Sequence, residues 1–366
     1  MSIDYASSLS RLRNRRLGAD RAGIALAQAL PVVERYQKRA SSEATRYTLG
    51  AMQEVDPDYT AKSNEEAERV IAALRSGLTA ADRYAEFRQQ GSVPANTHIR
   101  GASDVDLLVL GGVHTYDPLG VRARAGLYVP WNGSIVEEID DLRCECEDIL
   151  KRRYWAATID TTKPKSIRMS DGSLTRDVDV VPAHWSDNVT YQASLLERDR
   201  GVCILDRSVP TTTMNLPFLH IDRLNAGDPP TLGGLKMSIR MLKNLKADSS
   251  RTVGLSSYDM AGLMWNCDAR MIRYHAGREL SVLLGTDQWL EWLVTNPAEA
   301  GRLMTPDGIR RVLNEGEKFK ALTVLAGEVS ALREAVAAEW MPILKSERGG
   351  FTAERRALLE DVTIPG

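Results

Sequence analysis

The feature that most constrains the fold is a strand-like segment, residues 103–110, set between two regions of helical pattern. The segment reads Ser-Asp-Val-Asp-Leu-Leu-Val-Leu and stops at Gly111-Gly112. Before about residue 90 and after about residue 215, apolar side chains recur at helical spacing instead. The sequence therefore predicts helix, then a mixed α/β region, then helix. Because no Gly-x-Gly-x-x-Gly follows a strand, a dinucleotide-binding doubly wound fold is not expected.

Local signals predict where individual elements begin and end. Two capping boxes, Ser63-x-x-Glu66 and Ser134-x-x-Glu137, indicate helix starts. In the first two thirds of the chain we also expect a helix from Thr79 to Phe87, strands near 156–160 and 166–169, a turn at 170–173, and a strand from Thr175 to Val181 that Pro182 ends. Later helices are expected over 235–246, from Ser256 or Ser257, from Thr305-Pro306, and over 322–336, followed by a loosely held tail at 349–366.

Length and composition limit the class of protein. The 366 residues suggest two domains or one bilobal one. A formal net charge of -2 disfavours long DNA or RNA as the main partner. No apolar run approaches the ~20 residues that a membrane span needs. The four cysteines form no CxxC pair, so neither a zinc site nor a disulfide framework is expected, and a reducing cytoplasm fits.

The N-terminal region loosely resembles a signal peptide, because a basic stretch at 11–16 precedes an apolar run at 22–33. Gln28 interrupts that run, Pro31 falls near its end, and no small-residue cleavage site follows. We therefore interpret the run as an amphipathic helix and expect a cytoplasmic protein.

Two aspartates, Asp104 and Asp106, open the predicted central strand. Side chains at i and i+2 share a face of a strand, so both carboxylates point one way while Val105 and Leu107 pack the other way. Two like charges on one face repel each other. A divalent cation removes that cost, because Mg²⁺ takes carboxylate oxygens together with phosphate oxygens. The pair therefore predicts a metal site.

A third carboxylate in a similar setting is Asp179, which directly precedes Val180-Val181-Pro182. Three aspartates from neighbouring strands can hold two metal ions ~3.5–4 Å apart, the geometry for in-line attack on a phosphate. Asp177 shares the face of Asp179 and is a competing candidate. We favour Asp179, because the apolar residues that would close the strand follow it immediately.

Gly91-Ser92 is the candidate phosphate-binding turn. Glycine lets the backbone approach a phosphate closely, and Ser92 adds a hydroxyl and begins a turn or helix whose free N–H groups can face an anion. Taken singly, a Gly-Ser pair is usually a turn and an Asp-x-Asp is usually a solvated pair. The order of these elements along the chain, followed by Asp179, indicates a nucleotidyltransferase.

With these residues, and with Thr97 and Ser103 between them, the sequence resembles the DNA polymerase β-like nucleotidyltransferases. Within them it is similar to the bacterial cGAS/DncV-like group, the CD-NTases. The resemblance implies a bilobal α+β fold with a mixed sheet. Residues 1–90 would form a helical segment that braces both lobes, 91–214 the nucleotidyltransferase core, and 215–366 a C-terminal helical lobe.

The resemblance also assigns roles to the acidic site. It implies that Asp104 and Asp106 bind two Mg²⁺ ions. Asp179 would bind the catalytic metal and help to deprotonate the attacking hydroxyl. Gly91 and Ser92 would hold the triphosphate of the donor nucleotide.

The helical half carries further candidates. CD-NTases have a lysine late in one helix and a Ser-Tyr pair that opens the next, and Lys243 and Ser257-Tyr258 match this pattern. The resemblance implies that Lys243 and Ser257 contact donor phosphates and that Tyr258 stacks on a base. Lys246 is an alternative to Lys243, and Tyr258 could be a core residue. Trp185 either shapes the acceptor pocket or is simply packed.

The implied activity joins nucleoside triphosphates, with ATP and GTP as the expected substrates. It uses Mg²⁺, with Mn²⁺ as a substitute, and releases pyrophosphate. The product would be a cyclic oligonucleotide, namely a purine cyclic dinucleotide such as cyclic GMP–AMP, that activates a separate effector in anti-phage signalling (CBASS). No histidine and cysteine spacing matches the zinc insertion of the animal synthase, so activation by double-stranded DNA is not expected. We expect a monomer. A linear nucleotidyltransferase acting on RNA or a small acceptor, and a catalytically dead member, are the alternatives.

Overall fold

The computed structural model describes residues 5–17, 34–348, 359 and 362–365. The helix predicted over 22–33 and most of the predicted tail lie outside these residues. The chain divides into two compact units. The first comprises residues up to Val55, Asn96–Ala102 and the chain from Leu224 onward, and the second comprises Asp56–Ala95 and Ser103–Arg223. No helix in the described residues is long and apolar enough to cross a membrane.

Helices occupy most of the first unit and flank the sheet of the second. In chain order they are α1 (Tyr5–Leu17), α2 (Arg35–Arg39), α3 (Glu43–Met52), α4 (Pro57–Ala80), α5 (Val121–Arg124), α6 (Ile135–Arg153), α7 (Val189–Ser194), α8 (Pro217–Gly227), α9 (Gly234–Asp248), α10 (Ser257–Trp265), α11 (Glu279–Thr295), α12 (Pro297–Ala300) and α13 (Gly316–Arg348). Two short 3₁₀ turns lie at Glu197–Asp199 and Pro229–Thr231.

All strands found in the described residues belong to one mixed sheet in the second unit. They are β1 (Ala85–Gln90), β2 (Val105–Gly111), β3 (Thr115–Tyr116), β4 (Thr158–Asp160), β5 (Ile167–Ser170), β6 (Val178–Asp187), β7 (Gly201–Asp206) and β8 (Thr211–Asn215). The main path runs β1-β2-β6-β5-β4, and the second half of β6 also pairs with β3 and β7. β2 and β6 are parallel, whereas β1 with β2 and β5 with β6 are antiparallel.

Alternation along β2 divides its side chains between two apolar layers. Val105, Leu107 and Val109 pack with α4 and α6 on one face. Leu108 and Leu110 pack with residues of β6 and β7 on the other face. Burying one such side chain stabilises the fold by ~1.5–3 kcal/mol. Because Asp106 alternates with Leu107, its carboxylate lies on the face away from α4 and α6.

Several predicted elements are confirmed. Ser134 caps α6, where its side chain accepts a hydrogen bond from the Glu137 N–H. Ser256 caps α10 in a complete capping box with Asp259, so Ser257 is the first helical residue. The predicted stripe of the long C-terminal helix is buried in α13, and its members are Leu322, Leu325, Val329, Leu332 and Val336.

The predicted helix start at Ser63 is wrong, because the helix begins earlier. Asp56 caps α4 by accepting from the Asp58 N–H at 2.8 Å, and Pro57 takes the first turn, where its missing N–H costs nothing. Ser63 lies inside the helix and donates to the Tyr59 carbonyl. The carboxylate of Glu66 accepts two hydrogen bonds from Thr175 instead of closing a capping box.

The prediction of a helix from Thr79 to Phe87 is also wrong. The helix ends at Ala80, and β1 follows from Ala85. Residues such as Ala85, Glu86 and Gln89 favour helix locally. Pairing with β2 overrides this preference, because β2 would otherwise present an unpaired edge there.

Pro182 does not end its strand. β6 continues through it to Asp187. β5 pairs with β6 up to Val180, and β7 pairs with it from Ala183, so Pro182 lies where one neighbour gives way to the next. A residue without an N–H is tolerated at such a break in the ladder.

The helix predicted from Thr305-Pro306 is wrong as well. These residues form a tight loop in which the Thr305 N–H donates to the Arg310 carbonyl at 2.9 Å. Met304 and Arg311 form an isolated antiparallel bridge that closes the loop. The Thr305 hydroxyl donates to the Asp307 carboxylate, which supports a turn rather than a helix cap.

Arg143, a buried residue of α6, organises the connection between β4 and β5. Its guanidinium donates to four backbone carbonyls of residues 161–166 at 2.7–3.1 Å and to Glu147 at 2.9 Å. Only 1% of the residue is exposed. A planar guanidinium with five donors can satisfy such a set of carbonyls, whereas lysine cannot.

Replacing Arg143 with methionine is expected to lower the free energy of unfolding by about 3–5 kcal/mol, because buried carbonyls and the Glu147 carboxylate lose their donors. Urea denaturation followed by circular dichroism measures this. Arg152→Met on the exposed side of the same helix is the control, with a change within about 0.5 kcal/mol. Equal stability of the two variants would contradict a structural role for Arg143.

Candidate active site

One row of polar residues crosses the sheet of the second unit. Asp106 of β2 lies opposite Asp179 of the parallel strand β6. Gln90 of β1 lies opposite Asp106, Arg168 of β5 lies opposite Asp179, and Asp160 of β4 lies opposite Arg168. Paired residues project to the same face and adjacent strands are ~4.8 Å apart. Asp106 and Asp179, distant in sequence, are therefore direct neighbours.

Asp104 lies just before β2, beside this row, and is held by Arg168. The Arg168 guanidinium donates to Asp104 at 2.8 Å and to Asp177 at 2.9 Å, so it bridges the two carboxylates. The Lys163 ammonium lies 3.4 Å from the Asp179 carboxylate. The structure thus brings Asp104, Asp106 and Asp179 into one region. Asp177, the competing candidate, lies beside Asp104 and accepts a hydrogen bond from the same Arg168 guanidinium.

The Asp104 carboxyl is in an environment that disfavours its charge. Burial raises the pKa of Asp104 above its ordinary value, and the charges of Asp179 and Asp177 add to the rise, while Arg168 opposes it. A cation bound at this point would stabilise the ionised form.

This chemistry fits Mg²⁺, which prefers carboxylate oxygens. In the part of the chain that the structure describes, no three acidic, histidine or cysteine side chains are clustered tightly enough to hold a metal ion as they stand. Asp104 and Asp179 are each paired with a basic side chain instead.

Gly91 follows β1 directly and lies against the acidic site. Its φ is +78°, a backbone conformation that favours glycine. A Cβ built on Gly91 would stand 2.1 Å from the Asp106 Oδ2 atom, far inside contact distance. Only glycine therefore fits here without moving the carboxylate. Ser92 is the next residue of the same turn, so the predicted Gly-Ser pair is adjacent to Asp106.

In the first unit, Ser257 and Tyr258 open α10. The Tyr258 hydroxyl donates to the Asp307 carboxylate, and the Arg310 guanidinium lies 5.2 Å from the ring centre. Burial, the hydrogen bond to Asp307 and its charge raise the pKa of Tyr258, so the hydroxyl stays protonated. The ring is half-buried and fixed in orientation, as a stacking surface would need to be.

The two candidate lysines of α9 both donate to backbone carbonyls. Lys243 is 5% exposed, and its ammonium donates to the Thr97 carbonyl at 2.9 Å. Lys246 donates to the Leu255 carbonyl at 2.6 Å, two residues before the Ser-Tyr pair. A role in phosphate binding for either lysine stays a prediction.

Trp185 is a packed residue. It is 3% exposed, its ring centre lies 5.7 Å from that of Phe218, and the Arg200 guanidinium lies 4.6 Å from the ring centre. Of the two interpretations of Trp185, the structure supports packing.

Sequence reasoning missed the basic half of the site. The segment containing Arg168 was predicted as a strand, but its partners depend on the register with Asp179. Lys163 lies in an irregular connection and carries no recognisable motif. Only the pairing of strands distant in sequence brings these two cations to the aspartates.

Aspartates paired across two parallel strands, beside a Gly-Ser turn on a mixed sheet, define a nucleotidyltransferase of the DNA polymerase β-like class. Comparisons with known proteins agree, although no family model matches the chain. The cyclic dinucleotide synthase CdnE of Yersinia aleksiciae is 38% identical over 312 residues, which cover 84% of this chain and 80% of that protein.

Comparison with solved structures also finds cyclic dinucleotide synthases. The STING-associated CdnE c-di-GMP synthase from Capnocytophaga granulosa has 27% identity and a TM-score of 0.67, covering 90% of this chain and 97% of the other. The fold is also that of the Rhodothermus marinus CdnE c-UMP-AMP synthase, solved with Apcpp and Upnpp, at 19% identity and a TM-score of 0.58, with 82% and 96% covered.

The chain belongs to the bacterial cGAS/DncV-like nucleotidyltransferases, the CD-NTases. It is therefore an enzyme of the nucleotidyltransferase class, and cyclic oligonucleotide synthesis is its type of reaction. The predicted family and the predicted α+β polymerase β-like fold are confirmed.

Proposed function

We propose that the protein is a Mg²⁺-dependent synthase that joins ATP and GTP, or two molecules of GTP, into a purine cyclic dinucleotide and releases pyrophosphate. The observation that carries the proposal is the register of β2 and β6, which pairs Asp106 with Asp179 next to the Gly91 turn. A dead nucleotide-binding member would have no need of this complete acidic set.

The donor and acceptor are proposed to lie on opposite sides of the aspartates. The Gly91-Ser92 turn would hold the donor triphosphate, because a residue without a Cβ leaves room for phosphate oxygens beside Asp106. Asp104, Asp106 and Asp179 would hold Mg²⁺, which polarises the attacking hydroxyl and neutralises the leaving pyrophosphate. Asp179 would take the proton of the acceptor hydroxyl as it attacks the donor α-phosphate.

The first unit would contribute to nucleotide binding. Lys243 and Ser257 are proposed to contact donor phosphates, and Tyr258 to stack on a base, which contributes ~1–3 kcal/mol with little base preference. Asp307 and Arg310 support this role by fixing the orientation of the Tyr258 ring.

The product is proposed to be a second messenger that acts on a separate effector in anti-phage defence. GTP is favoured as a substrate because relatives at 28% and 32% identity, each covering 80% of this chain, are c-di-GMP synthases. A separate effector is favoured because the Capnocytophaga granulosa enzyme is described as STING-associated.

The test incubates the purified protein with labelled ATP, GTP, CTP and UTP and with Mg²⁺ or Mn²⁺, followed by phosphatase and chromatography. A phosphatase-resistant product that is absent from an Asp104→Ala/Asp106→Ala protein would support the proposal. Leaving out one nucleotide at a time identifies the bases and separates c-di-GMP from cyclic GMP–AMP. Phosphatase-sensitive chains alone would favour a linear nucleotidyltransferase, and products containing only pyrimidines would contradict the purine assignment.

A further inference from the structure

The connection between β4 and β5, residues 161–166, is held more firmly than an ordinary surface loop. Arg143 donates to the carbonyls of Thr161, Lys163, Pro164 and Ser166. The Arg207 N–H adds a bond to the Pro164 carbonyl at 3.1 Å. All these hydrogen bonds are accepted by backbone carbonyls of the loop, so they fix its path independently of the conformations of its side chains. A loop fixed in this way is preorganised for binding.

The loop presents two lysines with different partners. Lys165 lies 3.3 Å from Asp206, whereas Lys163 lies 3.4 Å from Asp179. The Lys163 contact is longer than the ~2.7–2.9 Å of a strong charge-assisted hydrogen bond, and 35% of its side chain is exposed. By comparison, Arg168 makes two shorter bonds to carboxylates. Lys163 is therefore the cation of this site that a competing anion, such as a phosphate, would draw away from its carboxylate most easily.

Lys163 lies on the side of the row away from the Gly-Ser turn. In the sheet order, β1 with Gly91 precedes β2 and β6, and β5 with the 161–166 loop follows them. The turn is thus next to Asp106, and the loop is next to Asp179. If the donor triphosphate lies at the turn and Asp179 takes the proton of the acceptor, the loop faces the acceptor nucleotide. That nucleotide carries a triphosphate of its own, which requires a cation.

We propose that the 161–166 loop is a preformed anchor for the triphosphate of the acceptor nucleotide, with Lys163 as its cation. Arg143 is the positioning residue that fixes the loop. This inference rests on the proposed function and adds to it the site for the second nucleotide. Lysine suits the task, because its compact ammonium binds phosphate as a point charge from a flexible stem.

The experiment measures how much the phosphates of the acceptor nucleotide raise kcat/KM. The donor is a labelled 2′,3′-dideoxynucleoside triphosphate of a base that the wild type accepts, since it has no hydroxyl with which to attack. The acceptors are GTP, GDP, GMP and guanosine, and the readout is kcat/KM for the linear dinucleotide. Wild type should prefer GTP over guanosine, and Lys163→Ala should reduce that preference at least about tenfold, the effect of one charge-assisted hydrogen bond.

Lys165→Ala is the matched control, because Lys165 pairs with Asp206 in the same loop and should leave the GTP preference in place. Arg143→Lys should weaken the preference as Lys163→Ala does. A fall in kcat/KM by the same factor for GTP and guanosine in Lys163→Ala would overturn the inference, since Lys163 would then act only through Asp179. A wild-type series with no dependence on phosphate number would also overturn it.

A second readout does not depend on turnover. An amine-reactive ester followed by mass spectrometry reports the exposure of Lys163 and Lys165 separately. GTP should protect Lys163 but not Lys165, and guanosine should protect neither. Absence of protection of Lys163 by GTP would overturn the anchor. An inactive wild type with selective protection would instead contradict the proposed function and support the loop as a phosphate site.

Discussion

Asp179→Asn is expected to lower the rate of product formation by about 10³-fold, whereas Asp177→Asn is expected to lower it less than tenfold. The substituted side chains have the same shape as aspartate, so packing is preserved and the charge changes. Asp179 lies opposite Asp106 and shares its face of the sheet. Loss of a metal-binding carboxylate removes several kcal/mol of transition-state stabilisation, and each 1.36 kcal/mol is tenfold in rate. Initial rates at saturating nucleotide measure the effect.

Asp177→Asn is the matched control for this prediction. Asp177 accepts a hydrogen bond from Arg168, which also binds Asp104, and the Arg168 side chain is 33% exposed. A partly exposed ion pair of this kind contributes ~1 kcal/mol or less. The rates of the two variants therefore show which of the two aspartates acts as the proposed third metal ligand. The reverse order of rates would assign that role to Asp177. Similar small losses in both variants would contradict the metal site.

Gly91→Ala is expected to lower the rate at least about 10²-fold, as the loss of one preorganised contact to the reacting phosphates does. A methyl group at this position would stand 2.1 Å from the Asp106 carboxylate oxygen, and the backbone has φ +78°. Either the carboxylate moves or the turn changes shape, and either change would separate the donor triphosphate from the proposed metal site. Because the damage falls on donor binding as well as on chemistry, KM for the donor should rise while kcat falls.

Gly126→Ala controls for the backbone conformation. Gly126 has φ +70°, but nothing lies within 4 Å of a Cβ built there. This variant therefore pays the same backbone strain of ~1–2 kcal/mol without touching the site. It should be less stable than wild type and equally active once folded. Equal activity of Gly91→Ala and Gly126→Ala would rule out close approach at Gly91 as a requirement for catalysis.

Much of the site was visible in the sequence because it depends on local chemistry. Spacing of two residues along a strand places Asp104 and Asp106 on one face wherever that strand lies. The Gly91-Ser92 turn follows from residue type, and so does the expected start of a helix at Ser256 or Ser257, which is where α10 begins. The resemblance then supplied roles for Lys243 and Tyr258 that residue type alone does not give.

Two of the failures, at residues 85–90 and at Pro182, have their physical origin in partners distant along the chain. Residues 85–90 have helix-forming composition but form β1, because they complete the edge of β2. Pro182 ends a strand in most settings but lies inside β6, because two neighbouring strands exchange places beside it. The residues next to each of these segments in the sequence do not reveal which strands will pair with it.

The sequence by itself determined the family, the acidic and Gly-Ser motifs, and the main helices, because each is written in residue types at short spacing. Only the tertiary structure decided which residues meet. The β2–β6 register pairs Asp106 with Asp179, the β5 register brings Arg168 to Asp104, and Arg143 fixes the loop that carries Lys163 to Asp179. Register depends on the packing of all side chains on both faces of a sheet, so it cannot be deduced from any one short segment of the sequence.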